Sequence, residues 1–308
     1  MNLLTWKEIK EKVYVEPPFL LDPYITRGGI TLLFGDTSVG KSPVTWEMAR
    51  AIAVGESFYG LPTTKGRVLY LEVDTPEVVF APRLKLIPIV PDDVWFLIVP
   101  GGLSVGSVVT PEEMTALRDA RDIAQPDVVF LNTLRKLHDE DDRESRVPKR
   151  VYSFFQKMFP GAALVVVHHS RKVPLDPRLQ EVDKEKFSGS KHWINDAQVG
   201  LLLATWNSRR ENLRLYHVKS QASELLKPLP LKLHKDGTTL TSPRYDELLF
   251  IYELIAGGSS PKVEVDRAAM AKFGISASTA KRRRLEVEHN LFPGSRKFLS
   301  PNESEEEE

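Results

Sequence analysis

The chain has 308 residues, of which 42% are hydrophobic, and its 42 basic residues balance its 42 acidic residues. This size allows one large core and a small second domain. The balanced charge excludes a global attraction to nucleic acid, so any such binding must come from a local basic patch. Cysteine is absent, which excludes disulfides and thiolate metal sites. No apolar run approaches the ~18 residues of a membrane span, and residues 1–8 lack the layout of a signal peptide. We therefore expect a cytoplasmic protein with no membrane partner.

The first predicted elements lead into a buried strand. Residues 6–13 have the spacing of a short helix, and residues 17–21 are expected to be extended. Gly28 and Gly29 predict a turn into the apolar run at residues 30–34. This run predicts a strand that is buried on both faces.

A glycine-bounded loop follows this strand, with the spacing G-x-x-x-x-G-K-[ST]. Its residues are Gly35, Asp36, Thr37, Ser38, Val39, Gly40, Lys41 and Ser42. The two glycines permit backbone angles at which successive N–H groups point at phosphate oxygens. Lys41 is expected to reach the β- and γ-phosphates, and the Ser42 hydroxyl to ligate Mg²⁺. The pattern predicts a nucleotide site, with a ligand-free strand-to-helix turn as the alternative.

A helix is predicted directly after the loop. Pro43 lies in its first turn, where the missing N–H costs nothing, and residues 44–53 have helical apolar spacing. The positive end of the helix dipole would then face the phosphates.

Apolar strands and helices alternate in the next part of the chain. The predicted strands are residues 67–74, 94–99, 127–132 and 162–169, and the predicted helices are residues 76–86, with a kink or break at Pro82, 110–123 and 147–158. This alternation indicates a parallel sheet covered on both sides. Ligands of such sheets bind at the carboxyl ends of the strands, where Gly35, Asp74, Asn132 and His169 are expected.

The second half of the chain predicts a different strand arrangement. Residues 171–187 form a long charged loop, which is typical of a functional segment. Residues 199–206 and 213–219 predict an antiparallel extension of the sheet, and residues 229–241 predict a further hairpin that turns at Asp236 and Gly237.

The character changes at residue 242. Residues 245–290 have a helical pattern, and residues 267–285 have the layout of a helix-turn-helix in which Gly274 ends the first helix and Ser276 or Ser278 caps the second. The second helix is expected to present four basic side chains to solvent and to DNA: Lys281, Arg282, Arg283 and Arg284. The alternative is a small helical domain with a solvated basic face. The predicted domains are 1–241, 242–300 and a disordered acidic tail at 301–308.

Residues 17–235 resemble the RecA-like P-loop ATPase family that includes the hexameric plasmid replication helicase RepA and its phage relatives. The resemblance is carried by Gly28-Gly29, residues 35–42, residues 68–74, the strand end at Asn132, the string at 168–172 and Gly189-Ser190. It implies an α/β, RecA-type core with a mostly parallel central sheet. It also implies ATP and Mg²⁺ as cofactors, a homo-oligomer such as a hexameric ring, and movement on single-stranded DNA.

The resemblance assigns roles to individual residues. Lys41 and Ser42 match the phosphate and magnesium ligands. The general base is Asp74 by position or Glu72 by chemistry, with two acids that cap a strand in solvent as the alternative. His169 matches a position that senses the γ-phosphate, with a buried, hydrogen-bonded histidine as the alternative.

Two departures from the family pattern predict slow hydrolysis. Asn132 stands where the family has a magnesium-associated Asp, and Lys219-Ser220-Gln221 stands where ring helicases have Lys-x-Arg. An arginine finger is worth about 10³–10⁵ in rate, so turnover depends on whether Arg209, Arg210 or Arg214 of a neighbour substitutes.

Three functions are compatible with these features. The first is a helicase-like ATPase of plasmid or phage replication, whose core binds single-stranded DNA and whose helix-turn-helix binds duplex. The second is a catalytically weakened, ATP-dependent assembly or loading factor. The third is a helix-turn-helix regulator that uses the RecA core to oligomerise.

Overall fold

A computed structural model describes residues 3–12, 18–87, 91–99, 101–105, 109–138, 140, 144, 146–169, 191–205, 211–256 and 261–288. The strands are β1 (Phe19–Leu21), β2 (Ile25–Thr26), β3 (Ile30–Gly35), β4 (Val68–Glu72), β5 (Val94–Ile98), β6 (Val128–Asn132), β7 (Ala163–His169), β8 (Val199–Thr205), β9 (Asn212–Ser220), β10 (Leu229–Leu233) and β11 (Leu240–Thr241). The helices are α1 (Trp6–Glu11), α2 (Lys41–Val54), α3 (Glu77–Leu84), α4 (Pro111–Ala124), α5 (Arg146–Met158), α6 (Lys191–Asp196), α7 (Pro243–Ala256), α8 (Lys262–Phe273) and α9 (Ala277–Glu288). In these ranges, no helix has the length and apolar character needed to cross a membrane.

The described strands form one large sheet in the order β11-β10-β9-β8-β3-β7-β6-β4-β5, and β1 and β2 form a separate pair. The strands from β8 to β5 in this order pair in parallel. Antiparallel pairing joins β8, β9, β10 and β11. The predicted parallel sheet with an antiparallel extension and a final hairpin is therefore confirmed.

Helices cover both faces of this sheet. On one face, Val44 and Met48 of α2 belong to the same buried cluster as Leu33, Tyr70 and Phe130. On the other, α4 and α5 pack on alternate residues of the same strands. Because successive strand residues point to opposite faces, strands covered on both sides need apolar residues throughout. This explains why β3, β4, β6 and β7 are mostly apolar up to their carboxyl ends.

The ends of several helices follow from local chemistry. Thr110 caps α4 in a capping box with Glu113, and Pro111 occupies its first position, as the sequence predicts. Helix α3 continues through Pro82 to Leu84, so of the predicted kink or break the break was wrong. Pro82 is exposed, and because it has no N–H it cannot make the hydrogen bond to the preceding turn.

In the part of the chain that the structure describes, three helices follow β11 and have a small core of their own. Its buried members are Leu248, Ile251, Val265, Ala269, Ala280 and Val287. Gly274 ends α8 at φ 63°, and the Ser276 hydroxyl accepts a hydrogen bond from the Thr279 N–H at the start of α9. The predicted end of the first helix at Gly274 and the predicted cap of the second at Ser276 are confirmed. Tyr245 of α7 joins this unit to the sheet domain through a 3.2 Å hydrogen bond with Ser57.

The four basic residues of α9 do not share one environment. Lys281 and Arg282 are exposed. Arg283 bonds Glu247 at 2.7 Å, and Arg284, only 6% exposed, bonds Asp266 at 2.8 Å. The expectation that all four face solvent was therefore wrong for Arg284, and Arg283 is largely covered. Helical periodicity turns these two side chains toward acidic partners on α7 and α8.

Candidate nucleotide site

The glycine-bounded loop joins the end of β3 to the start of α2. Ser38 and Gly40 have left-handed backbone angles, with φ of 62° and 104°. Gly35 lies so close to β8 that a Cβ on it would be 2.4 Å from the Leu203 carbonyl oxygen. Any side chain at position 35 would therefore displace the loop from the sheet. Of the residues between the glycines, Asp36 is half-buried, Thr37 and Ser38 are exposed, and Val39 is buried in the core.

Lys41 is folded back onto this loop. Its Nζ atom donates to the carbonyl oxygens of Gly35 at 2.9 Å and Asp36 at 2.7 Å, and lies 3.2 Å from Nδ1 of His169. The side chain is buried at the first position of α2. The ammonium thus lies against the loop, held by two carbonyl oxygens and close to an imidazole, within the segment whose N–H groups are expected to bind phosphate.

Burial changes the protonation of both groups. Desolvation lowers the pKa of Lys41 to about 8, against the opposing charges of Asp36 and Asp74. Desolvation, and then the charge of Lys41, also lowers the pKa of His169. At neutral pH, His169 is therefore a neutral imidazole that accepts the Lys41 hydrogen bond. This hydrogen bond fits the alternative in which His169 is a buried, hydrogen-bonded histidine. It also places the imidazole ring beside Lys41, the expected phosphate ligand.

We expect ATP binding to take up a proton in mildly alkaline solution. The pKa of Lys41 is depressed to about 8 in the free protein, and a neighbouring phosphate anion raises it again because it stabilises the ammonium. Affinity should therefore fall as pH rises above 8. Calorimetric titrations at a pH of about 8.5, in two buffers of different ionisation enthalpy, measure the uptake. Equal heats in both buffers would contradict this role for Lys41.

The two acids that follow Tyr70 differ in environment. Glu72 ends β4, is paired in register with Asn132 at the end of β6, and is only 1% exposed. Its Oε2 accepts a 2.7 Å hydrogen bond from Asn132 Nδ2, and its Oε1 accepts from the N–H groups of Asp74 and Thr75. Burial raises the pKa of Glu72, while these hydrogen bonds lower it. Glu72 is not the solvent-facing strand cap that the alternative describes.

Asp74 is the accessible carboxylate. Its side chain is 40% exposed and forms an ion pair with Nζ of Lys136 at 3.3 Å. The charge of Asp74 acts on both Lys41 and His169, so the carboxylate lies at the same edge of the sheet. The expected gathering of Gly35, Asp74, Asn132 and His169 at the carboxyl ends of the strands is confirmed, since Gly35 also pairs in register with His169.

The donors near the loop fit a magnesium ion. Ser42 is half-buried in the first turn of α2, and Glu72 and Asp74 provide carboxylate oxygens at the same edge. Mg²⁺ prefers oxygen ligands and is commonly held by one or two protein groups together with substrate phosphates. No group of three or more His, Cys, Asp or Glu suited to a metal occurs among the described residues.

Two lysines have roles that the sequence interpretation missed. Lys136, in a 3₁₀ turn after β6, pairs with Asp74, and no motif marks it. Nζ of Lys219 donates to three carbonyl oxygens at the end of α6, those of Ile194, Asn195 and Ala197. Lys219 is therefore engaged within its own chain.

The remaining predicted site residues have varied placements. Arg214 lies on β9, whereas Arg209, Arg210, residues 171–187, Gly189-Ser190 and the tail at 301–308 lie outside the described residues. Lys281, Arg282, Arg283 and Arg284 are on α9, in the C-terminal helices rather than at the loop.

A strand, a glycine-bounded loop, a helix N-terminus and a buried lysine beside strand-end acids define a P-loop nucleotide-binding core. A family model described as an AAA domain (AAA_25) matches residues 4–174, more than half of the 308 residues. The chain belongs to this AAA domain family, and an ATPase-type nucleotide-binding function follows from that membership. No curated protein matches the chain significantly.

Proposed function

We propose that the protein is a RecA-type, helicase-like ATPase that acts on DNA in plasmid or phage replication, with ATP and Mg²⁺ as cofactors. The observation that carries the nucleotide part is the buried Lys41 ammonium, held by loop carbonyls 2.9 and 2.7 Å away at the N-terminus of α2. A phosphate group would replace these carbonyls as its partner. The loop N–H groups and the helix dipole add to this attraction.

The remaining residues supply positioning and charge. Ser42 would ligate Mg²⁺, and the ion would neutralise phosphate charge. Asp74 is the exposed carboxylate and would orient the attacking water as general base. His169, which contacts Lys41, would sense the γ-phosphate. Catalysis of phosphoryl transfer rests almost entirely on such positioning and electrostatics.

A catalytically weakened assembly or loading factor is the second candidate. It is favoured by Asn132 in place of an acid and by the binding of Lys219 to the end of α6, which removes one cation from the expected trans-acting pair. The two candidates differ in turnover. Steady hydrolysis above about 1 s⁻¹ with single-stranded DNA, lost in Lys41→Ala, would contradict the weakened form.

The C-terminal helices are proposed as a duplex-DNA contact. Lys281 and Arg282 are exposed on α9, so we expect the double substitution Lys281→Ala/Arg282→Ala to weaken duplex binding and to reduce the salt slope by about one for each phosphate that is no longer neutralised. Fluorescence anisotropy over a range of salt concentrations measures both. Lys149→Ala/Lys157→Ala on α5 makes the same charge change on another face and is the control. Equal effects of the two pairs would contradict the contact.

Arg284 is expected to act on stability instead. Its side chain is 7% exposed and bonds both Asp266 and Glu288, so Arg284→Ala leaves two carboxylates without their buried partner. We expect a loss of about 1–3 kcal/mol in the free energy of unfolding, measured by chemical denaturation. Arg282→Ala should leave it unchanged. A weaker DNA contact in Arg284→Ala with unchanged stability would contradict this assignment.

The third candidate is a helix-turn-helix regulator that uses the RecA core to oligomerise. If deletion of residues 243–308 left DNA binding unchanged, this candidate would lose its support.

The proposed assembly is a homo-oligomeric ring. Sizing the particle with and without a non-hydrolysable ATP analogue tests this assembly. A ring supports a motor, whereas a monomer in both conditions counts against one.

A further inference from the structure

Glu72 and Asn132 lie on the face of the sheet that α2 covers. Two residues earlier on each strand, the rings of Tyr70 and Phe130 stack with centroids 5.6 Å apart and belong to the same buried cluster as α2. Side chains two residues apart on a strand share a face. The bonded Glu72–Asn132 pair therefore follows these rings toward the carboxyl edge of the sheet.

One hydrogen bond shows which residues of α2 and β4 lie side by side on this face. The Thr45 hydroxyl on α2 is 2.8 Å from the Tyr70 hydroxyl on β4. Ser42 lies about one helical turn before Thr45, which is roughly 5 Å toward the loop. Glu72 lies two residues beyond Tyr70, roughly 7 Å in the same direction. Ser42 and Glu72 thus lie on the same side of the Thr45–Tyr70 contact, at the end where the phosphate loop is.

We infer that the acid beside the magnesium ligand Ser42 has moved from β6 to β4, so that Glu72 supplies the negative charge and Asn132 orients it. This rests on the proposed nucleotide function. The site then keeps one carboxylate near Ser42 although Asn132 is neutral.

The hydrogen bonds explain why the amide is on β6. Asn132 Nδ2 donates to Glu72 Oε2 over 2.7 Å, which an aspartate at this position would be unable to do. A second buried carboxylate at such a distance would repel the first. Oε1 of Glu72 accepts two backbone N–H groups, whereas Oε2 accepts the Asn132 amide and has capacity for one more donor.

Glu72 and Asp74 also differ in their exposure and in their hydrogen-bond partners. Asp74 is half-exposed and paired with Lys136, while Glu72 is enclosed and holds the N–H groups of the turn that carries Asp74. Glu72 therefore has two effects. It contributes charge near Ser42, and it positions the turn that presents Asp74.

The test compares how strongly Mg²⁺ enhances binding of a non-hydrolysable ATP analogue to the full chain. Affinities are measured with excess Mg²⁺ and with a chelator for the unsubstituted chain, Glu72→Gln, Asn132→Asp and the exchanged double variant Glu72→Gln/Asn132→Asp. We expect Glu72→Gln to lose roughly 10- to 100-fold of the magnesium effect and to keep its affinity in chelator. The double variant again has one carboxylate and one amide, so it should recover most of the enhancement of binding by Mg²⁺.

The inference is overturned if Glu72→Gln keeps the full magnesium effect, or if the double variant is no better than Glu72→Gln. Glu112→Gln, at an exposed position of α4, is the matched control and should behave like the unsubstituted chain. Thermal unfolding in chelator confirms that each variant is folded. If the unsubstituted chain binds no analogue in either condition, the proposed nucleotide function fails instead, and the two failures are distinguishable.

Discussion

Replacing Lys41 by Ala is expected to lower ATP affinity and turnover by about 100-fold or more, because it removes the one buried cation of the phosphate loop. Losing a single preorganised donor to a charged transition state costs about 10²–10³ in rate. The Nζ atom is held by Gly35 and Asp36 carbonyls, so it is already in place before a ligand arrives. Equilibrium binding of a labelled ATP analogue and steady-state phosphate release measure the two effects.

The control for this substitution is Lys85→Ala, which removes an exposed lysine at the end of α3. It should change neither quantity. Thermal unfolding of Lys41→Ala, measured beside the unsubstituted chain, confirms that the variant is folded. Full ATP affinity in Lys41→Ala would contradict the assignment of the loop.

The second large effect is expected for Asp74→Asn. This substitution keeps the shape of the side chain and removes the exposed carboxylate that would orient water, so kcat should fall by about 10²–10⁴. ATP affinity should change little, because Asp74 is expected to act on the water rather than on the phosphates. Single-turnover hydrolysis and analogue binding separate the two quantities.

Asp122→Asn provides a matched control, because Asp122 is an exposed acid of α4 that pairs only with its neighbour Arg121 in the described contacts. It should hydrolyse ATP normally. If Asp74→Asn turned over at the unsubstituted rate while Glu72→Gln did not, the base would be Glu72. That result would reverse the roles that burial assigns to the two acids.

Local sequence patterns predicted most of the fold and the loop. The strands at residues 30–34 and 163–169 are apolar, apart from Thr31, His168 and His169, because both faces of the sheet are covered. The start of α2 at Lys41 is predicted by Pro43, because a proline in the first turn of a helix loses no hydrogen bond. These signals lie within a few residues, so they are readable without a structure.

The remaining features of the site and of the C-terminal helices depend on contacts between residues that are far apart in the sequence. The bond from Asn132 to Glu72 requires the register of β4 and β6, which no spacing reveals. The sequence identified Asn132 as a lost acid but did not show that it holds the neighbouring one. Arg284 is an equivalent case, since its burial depends on how α9 packs against Asp266 of α8.

The packing around the loop is another long-range feature. A Cβ at Gly40 would approach the side chains of Leu213 on β9 and Leu233 on β10 to 3.3 Å. The antiparallel extension therefore lies against the phosphate loop. Strand β10 is also bonded to the residue before α7, because the Ser242 hydroxyl donates to the Pro230 carbonyl oxygen. The loop and the helical unit thus both contact β10.

The central claim is that residues 35–42 bind the phosphates of ATP. Calorimetric titration of the full chain with a non-hydrolysable ATP analogue and Mg²⁺ tests it most directly. We expect one site per chain, and at a ligand concentration of 100 times Kd the analogue should stabilise the folded state by about 2.7 kcal/mol. Absence of binding heat together with an unchanged melting temperature at millimolar analogue would contradict the claim.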